Sequence, residues 1–472
     1  MVFSSLFFLF QFLPFVLLFY YLTPARFKNW VILAASLLFY AWGAPRFVFL
    51  LVASCIADFV VGQRLQARRG HARSWLAMGL VVNISVLLYF KYANFFVDQS
   101  NALLAMIGVG QTHWTRVFLP LGISFFTFHK ISYLVDVYRG TAQVARSFRD
   151  YLLYIVFFPQ LIAGPIIRYH DVAEQIARRI HTPAQFAGGV CRFCLGLGKK
   201  TLIANALAQV ANDAFGAASL GPAQAWTGVL AYAFQIFFDF SGYSDMAIGL
   251  GRMFGLEFLE NFDAPYISRS FTEFWRRWHI SLSNFMREYL YIPLGGSRKG
   301  ELRTVLNLWI VFTISGFWHG ASWNFIVWGA YHGLFLSLDK LYQRLGLRRL
   351  PAVVSIPGTF FLVVCGWVFF RADNLTAAVA YLKVMFGLLP SARPAALASF
   401  LDARTVFLLI LAALGSFLPA SRFKGARLNE LRFSEFSMAG RLGAGMGAFL
   451  LLILSSMSLA AGGFNPFIYF RF

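Results

Sequence analysis

The chain has 472 residues, of which 59% are apolar and 13% charged, against about 25% charged in a soluble domain. With a mean hydropathy of +0.64 and apolar runs from end to end, this excludes a secreted enzyme, a disulfide scaffold and a disordered protein, and points to a polytopic membrane protein. The net charge of +21 sits in short basic clusters between apolar runs, Arg64, Arg68, Arg69 and Arg73 and again Arg344, Arg348 and Arg349; such clusters orient helices and touch anionic head groups, which leaves nucleic-acid binding as a minor alternative.

The first apolar run, Val2 to Leu22, has no Lys or Arg before it and no small-residue cleavage site after it, so it reads as a retained segment and not a cleaved signal peptide. Arg26 and Lys28 follow at once, which places the first loop in the cytoplasm and the N-terminus outside. Further apolar segments fall near 29–43, 45–63, 75–93, 117–137, 150–168, 187–213, 224–252, 304–319, 322–338, 352–371, 375–390, 403–419 and 440–463. Several are shorter than the ~20 residues that span a bilayer, so about ten to twelve true spans are expected, with re-entrant or interfacial pieces between them. Pro159, Gly164 and Pro165 interrupt the 150–168 run, and the freed backbone must be buried in protein or line a wet cavity. Cys191 and Cys194 make a lone C-x-x-C with no second pair and no nearby His, so no metal site is expected.

The long stretch that cannot span is 257–303. Within it Phe271, Phe274, Trp275, Trp278, Leu282 and Phe285 share a helix face opposite Glu273, Arg276 and Arg277, with Ser270 and Glu273 forming a capping box. An amphipathic helix lying in or below the membrane surface is the expectation. The fold class is all-α, a single membrane domain over 1–472.

Most of the eight histidines have structural explanations. His71, His113, His170 and His181 lie in polar or basic connections, and His129 adjoins Lys130 near an expected membrane boundary. His319 differs, because no Asp, Glu, Lys or Arg occurs from Thr304 to Leu338, and an ionisable residue at membrane depth marks a functional site by default. Fifteen residues of helix from Thr304 put it ~23 Å along the axis, near the apex of a hairpin within 304–338. Gly316 and Gly320 flank it and admit close approach by a helix or a substrate. A neutral His bonded to a backbone carbonyl is an equal alternative by these residues alone. His332 suits a structural or entrance role, and His279 reads as an interfacial His among aromatic anchors.

Taken together, Phe157-Phe158-Pro159-Gln160-Leu161-Ile162-Ala163-Gly164-Pro165, Asp239-Phe240-Ser241-Gly242-Tyr243-Ser244-Asp245, Glu260-Asn261-Phe262, Phe274-Trp275-Arg276-Arg277-Trp278-His279, Tyr291-Ile292-Pro293-Leu294-Gly295-Gly296 and Gly316-Phe317-Trp318-His319-Gly320 resemble the membrane-bound O-acyltransferases. The similarity is to the bacterial branch that holds the membrane subunit of alginate O-acetylation and the D-alanyl transfer protein of teichoic acids. The resemblance implies that His319 is the principal catalytic histidine, in a tunnel crossing the membrane, and that His279 is the second polar site residue. Arg276 and Arg277, with Arg298 and Lys299, carry the positive charge expected to attract the phosphates of a cytoplasmic donor, and Trp278, Trp318, Trp323 and Ser281, near the two histidines in sequence, are further tunnel candidates. The resemblance also implies acetyl-CoA or another acyl thioester as donor substrate with no bound cofactor, an extracytoplasmic acetyltransferase or acceptor protein as partner in modifying a glycan, and residence in the bacterial inner membrane. Within the same chemistry the alternative is a D-alanyl or peptidoglycan acyl transfer subunit, and a non-catalytic scaffold of a polysaccharide-secretion complex is a further reading; the rival from another class is a secondary transporter or acyl flippase. It rests on Asp136, Asp239 and Asp245, whose structural alternative is pairing with Arg139, Arg168 or Arg252 at the membrane boundary.

Overall fold

The computed structural model describes residues 1–67, 69–217, 219–348, 350–389, 401–417 and 436–462. Arg68 and Arg349, and the final residues of the segments expected at 375–390, 403–419 and 440–463, lie outside the described residues. Among the described residues the structure is helical with no strand, and the chain divides into two compact units.

The first unit comprises 1–181 with 254–258. It holds α1 (Leu13–Leu22), α2 (Lys28–Gly43), α3 (Val48–Ala67), α4 (Ala72–Leu87), α5 (Ala93–Met106), α6 (Ile123–Arg139), α7 (Phe148–Val156), α8 (Phe158–Leu161) and α9 (Tyr169–Ala177). The interruption read at Pro159 is present: α7 ends at Val156, α8 is one short turn, and the chain then runs irregularly to Arg168. Its backbone is not exposed to lipid, because Tyr151 through Ile167 are buried and Gln160 donates its amide hydrogen to the Tyr154 carbonyl. His129, expected near a boundary, is instead fully buried against Tyr154.

The second unit comprises 182–253 with 259–472. It contains α10 (Pro183–Gly198), α11 (Asn205–Gly216), α12 (Pro222–Met253), α13 (Phe271–Arg277), α14 (Ile280–Met286), α15 (Glu301–His319), α16 (Trp323–Arg344), α17 (Ala352–Arg371), α18 (Leu375–Met385), α19 (Ala403–Phe417) and α20 (Met438–Ala460). The 32-residue α12 is its axis and is buried almost throughout. Alpha-10 lies on it at backbone distance: a Cβ added at Gly196 would meet the Gly242 carbonyl oxygen at 2.4 Å, and one at Gly249 would meet the Gly189 carbonyl oxygen at 2.6 Å. Small residues are what allow two helices to pack this closely without a soluble core.

Among the described residues four helical stretches are long and apolar enough to cross a membrane: Pro45–Ala67, Ala72–Met106, Ala352–Arg371 and Met438–Ala460; Phe8–Leu22, Leu375–Met385 and Ala403–Phe417 are shorter apolar helices. Phe49, Val81 and Phe449 on three of these spans are 82%, 62% and 63% exposed, and apolar side chains so displayed suit contact with lipid.

The amphipathic segment departs from expectation. It is two helices, not one, broken at Trp278 and His279, where His279 takes a left-handed φ of 44°. Tertiary hydrogen bonds cause the break. Trp278 N–H closes α13 on the Phe274 carbonyl, while Ile280 N–H turns away from its own helix to the Asn261 carbonyl at 2.9 Å. The aromatic face does not lie on the membrane surface: Phe271, Phe274, Trp275, Trp278, Leu282 and Phe285 are all buried inside the second unit. The start was legible, since Ser270 Oγ accepts from Glu273 N–H at 3.2 Å, although the Glu273 carboxylate reaches back to Arg269 N–H at 2.9 Å.

Candidate active site

His319 is the last residue of α15, and α16 begins four residues on at Trp323, so the imidazole stands where the chain reverses. The reversal is tight because Gly316 faces Gly329: a Cβ on Gly316 would lie 2.2 Å from the Phe325 carbonyl oxygen and 3.0 Å from Gly329 Cα. The close approach that Gly316 permits is therefore that of α16. His319 is 4% exposed. Its ring lies among Trp318, Trp328 and Phe370, with centroids 4.9, 5.2 and 5.2 Å away and interplanar angles of 70°, 88° and 70°.

Edge-on rings of this kind exclude water from the imidazole. Behind Trp328 lies His332, at a centroid separation of 4.7 Å, whose Nδ1 accepts from Trp275 Nε1–H at 3.2 Å. That bond ties α13 to α16 and gives His332 a structural place.

His279 is fully buried. It packs edge-on against Phe240 at 4.6 Å, and its Nδ1 lies 3.2 Å from Asn261 Oδ1. Asn261 Oδ1 also accepts from the backbone N–H of Ser281 at 3.2 Å and from Ser281 Oγ at 2.9 Å, while Asn261 Nδ2 donates to Ser244 Oγ on α12 at 3.0 Å. The segment 257–303 lies outside the spanning helices, and burial lowers the His279 pKa to about 3, so the ring is neutral near pH 7.

Two of the sequence-derived candidates stand beside the histidines, and a third joins them through shared aromatic packing. Ser281 shares Asn261 with His279, and Trp318 touches His319. Trp278 packs on Trp367 at 4.9 Å, and Trp367 packs on Trp328 at 6.0 Å, so a continuous series of rings runs from Trp278 to His319. The remaining candidates stand apart from these rings. Arg277 is held in ion pairs with Glu273 at 3.0 Å and Asp263 at 3.3 Å, Arg276 is exposed, and Trp323 is 53% exposed. Asn261, Trp328, Trp367 and Phe370 were not among the candidates. Asn261 lies within a motif that carried the resemblance, but nothing in its spacing tied it to His279, 18 residues away.

The three carboxylates behind the transporter reading are all paired. Asp136 Oδ2 lies 2.8 Å from His170 Nδ1, Asp239 pairs with Lys200 at 2.6 Å, and Asp245 accepts from Arg192 Nε and Lys199 Nζ, each at 2.7 Å. Arg192 also binds Glu260 at 2.7 Å. Buried carboxylates paired in this way brace the helices that carry them.

The description "membrane-bound O-acyltransferase family" matches residues 73–370 of this chain. Over the whole of both chains it is 41% identical to the probable alginate O-acetylase AlgI of Azotobacter vinelandii. It is 46% identical to the probable alginate O-acetylase AlgI of Pseudomonas aeruginosa over 82% of this chain and 75% of the relative. A peptidoglycan O-acetyltransferase of Helicobacter pylori is 39% identical over 82% of this chain and 80% of its own. With the buried histidines on the α15–α16 reversal and the α13–α14 break, these similarities show that the chain belongs to the membrane-bound O-acyltransferase family and is an O-acyltransferase.

Proposed function

We propose that the protein moves an acetyl group from cytoplasmic acetyl-CoA, or a related acyl thioester, through the bacterial inner membrane for O-acetylation of an exopolysaccharide such as alginate. The reading includes about ten to twelve membrane spans around a central tunnel, with shorter apolar helices such as Phe8–Leu22 and Ala403–Phe417 completing the set. The observation that carries it is His319 itself, a buried imidazole at a helix reversal, ringed by Trp318, Trp328 and Phe370.

In the reaction, His319 takes the proton of the acceptor hydroxyl as its oxygen attacks the thioester carbonyl carbon. The C–S bond then breaks, the acyl group stays on the acceptor oxygen, and the imidazolium returns its proton to the departing thiolate. General-base assistance of this kind typically contributes roughly 10²–10⁴-fold. His279, whose neutral ring donates from Nδ1 to Asn261 and presents a lone pair at Nε2, orients the reactants and does not donate to the oxyanion. The surrounding rings keep water, the competing acceptor, away from the thioester. A separate extracytoplasmic acetyltransferase or acceptor protein completes delivery to the glycan.

The test is release of free CoA from radiolabelled acetyl-CoA by the purified protein in nanodiscs, with the extracytoplasmic partner supplied. Release by the wild type that is lost in His319→Ala supports the assignment. Equal release by both removes His319 from the chemistry, and thioester binding without turnover in the complete system favours a carrier.

A further inference from the structure

The first unit holds two cations and an imidazole with no part in that reaction, gathered on one phenol. The Tyr20 hydroxyl lies 2.7 Å from His181 Nε2 and accepts from Arg179 Nη1 at 3.2 Å. Lys28 Nζ donates to the Tyr20 carbonyl at 3.0 Å and sits over the rings of Tyr20 and Tyr21, 4.3 and 4.9 Å from their centroids. Tyr20 is itself buried at the end of α1 and within hydrogen-bonding distance of the Phe254 carbonyl at 3.1 Å. Lys28, Arg179 and the His181 imidazole are therefore held in place, not free to splay apart.

At several other places the protein answers a buried or half-buried cation with a carboxylate. Lys130 meets Asp58 at 3.0 Å, Arg168 meets Asp171 at 2.9 Å, and Lys200 meets Asp239 at 2.6 Å. Among the described residues no carboxylate forms an ion pair with Lys28, Arg179 or His181, whose polar contacts are those to Tyr20 and its neighbours.

The Nε and Nη2 atoms of Arg179 are buried without a hydrogen-bond partner, as is the Oε1 of Gln160, and both residues line one small cavity with Tyr154, Leu256 and Phe258. That cavity, about 10 Å³, has room for at most a single water. A water there would bridge the guanidinium to Gln160 and fix its position while leaving its charge in place. The electrostatic consequence is visible in the neighbours: burial and then Arg179 lower the pKa of Lys28, and burial, Lys28 and Arg179 lower that of His181. Lys28 and Arg179 are like charges held near one another, with the His181 imidazole beside them, and an anion between them would relieve their repulsion.

We propose that Lys28, Arg179 and His181 form a phosphate-binding site at the end of α1. The ligand class is a phosphate ester, either the head group of an anionic phospholipid or a soluble phosphate. Lys28 follows directly on the first apolar run, at head-group level, and retains donors beyond its bond to Tyr20. Tyr21, 42% exposed beside it, offers the amphipathic ring usual at that depth. Because the cations are already ordered, binding loses little side-chain entropy.

The test uses the full chain and needs no thioester, so it stands apart from the acyl-transfer reading. Retention of phosphatidylglycerol is measured by native mass spectrometry after passage through nanodiscs of phosphatidylcholine with and without phosphatidylglycerol. Melting in lipid-free detergent is followed with inorganic phosphate against chloride at equal ionic strength. The variants are Lys28→Gln and Arg179→Gln, with Arg46→Gln, an exposed residue just past the other end of α2, as the charge-matched control. Should Arg179→Gln fail to fold, Lys28→Gln alone decides. A loss of phosphatidylglycerol retention of about tenfold in Lys28→Gln but not in Arg46→Gln assigns the site to a lipid phosphate. A Lys28-dependent rise in melting with inorganic phosphate, without lipid selectivity, assigns it to a soluble ester. Equal behaviour of Lys28→Gln and Arg46→Gln in both measurements overturns the proposal.

Discussion

Asn261 selects which nitrogen of His279 carries the hydrogen. The backbone N–H of Ser281 can only donate, and it points at the same Asn261 atom that lies 3.2 Å from His279 Nδ1, so that atom is the carboxamide oxygen. An oxygen acceptor requires Nδ1 to be the donor, which leaves the lone pair of the neutral ring on Nε2. Ser244 holds the other end of the carboxamide from α12.

Replacing that neutral acceptor by a carboxylate in Asn261→Asp preserves the shape and stabilises the imidazolium. The His279 pKa then rises from its burial-lowered value, by roughly 1–3 units for a carboxylate in contact. A ring that is neutral near pH 7 in the wild type becomes protonated at a higher pH in the variant, so the acid limb of CoA release moves upward. Asn261→Ala instead lowers the rate without that displacement. Identical pH profiles for wild type and Asn261→Asp would separate His279 from the reaction.

His319→Gln keeps the volume inside the ring of Trp318, Trp328 and Phe370 while removing the base. The expected loss in CoA release is roughly 10²–10⁴-fold, with melting little changed. A comparable fall in melting temperature would instead mark His319 as a packing residue.

Gly316→Ala tests the helix reversal. The new methyl would sit 2.2 Å from a backbone oxygen that cannot rotate away, so α15 and α16 must separate. Overpacking of this kind costs about 1–3 kcal/mol, read as a lower melting temperature in detergent. Unchanged melting and activity would mean the two helices are not held at this distance.

Asp245→Asn removes one carboxylate from buried Arg192, which keeps Glu260, and from half-buried Lys199. Breaking a buried ion pair typically costs roughly 3–5 kcal/mol, with the remaining Glu260 bond placing this variant at the lower end. Residual acyl transfer by the protein that still folds should need no ion gradient. Abolition of activity by an ionophore in reconstituted vesicles, with folding intact, would restore the transporter reading.

Composition and apolar run length were sufficient to establish a helical membrane protein, and the absence of formal charge from Thr304 to Leu338 singled out His319, because a polar side chain among apolar neighbours is a local property of the sequence. Ser270 marked the start of α13 for the same reason, since a cap acts within four residues. The end of that helix was decided elsewhere: the break at His279 exists because Ile280 N–H bonds Asn261, a partner no periodicity reveals. Likewise the spacing of Phe271, Phe274, Trp275 and Trp278 specified an apolar face, but only the tertiary structure determined that protein and not the membrane surface covers it. Charge followed the same division, for the sequence shows how many cations there are, while whether Lys200 meets Asp239 or Lys28 meets no carboxylate depends on which helices pack together.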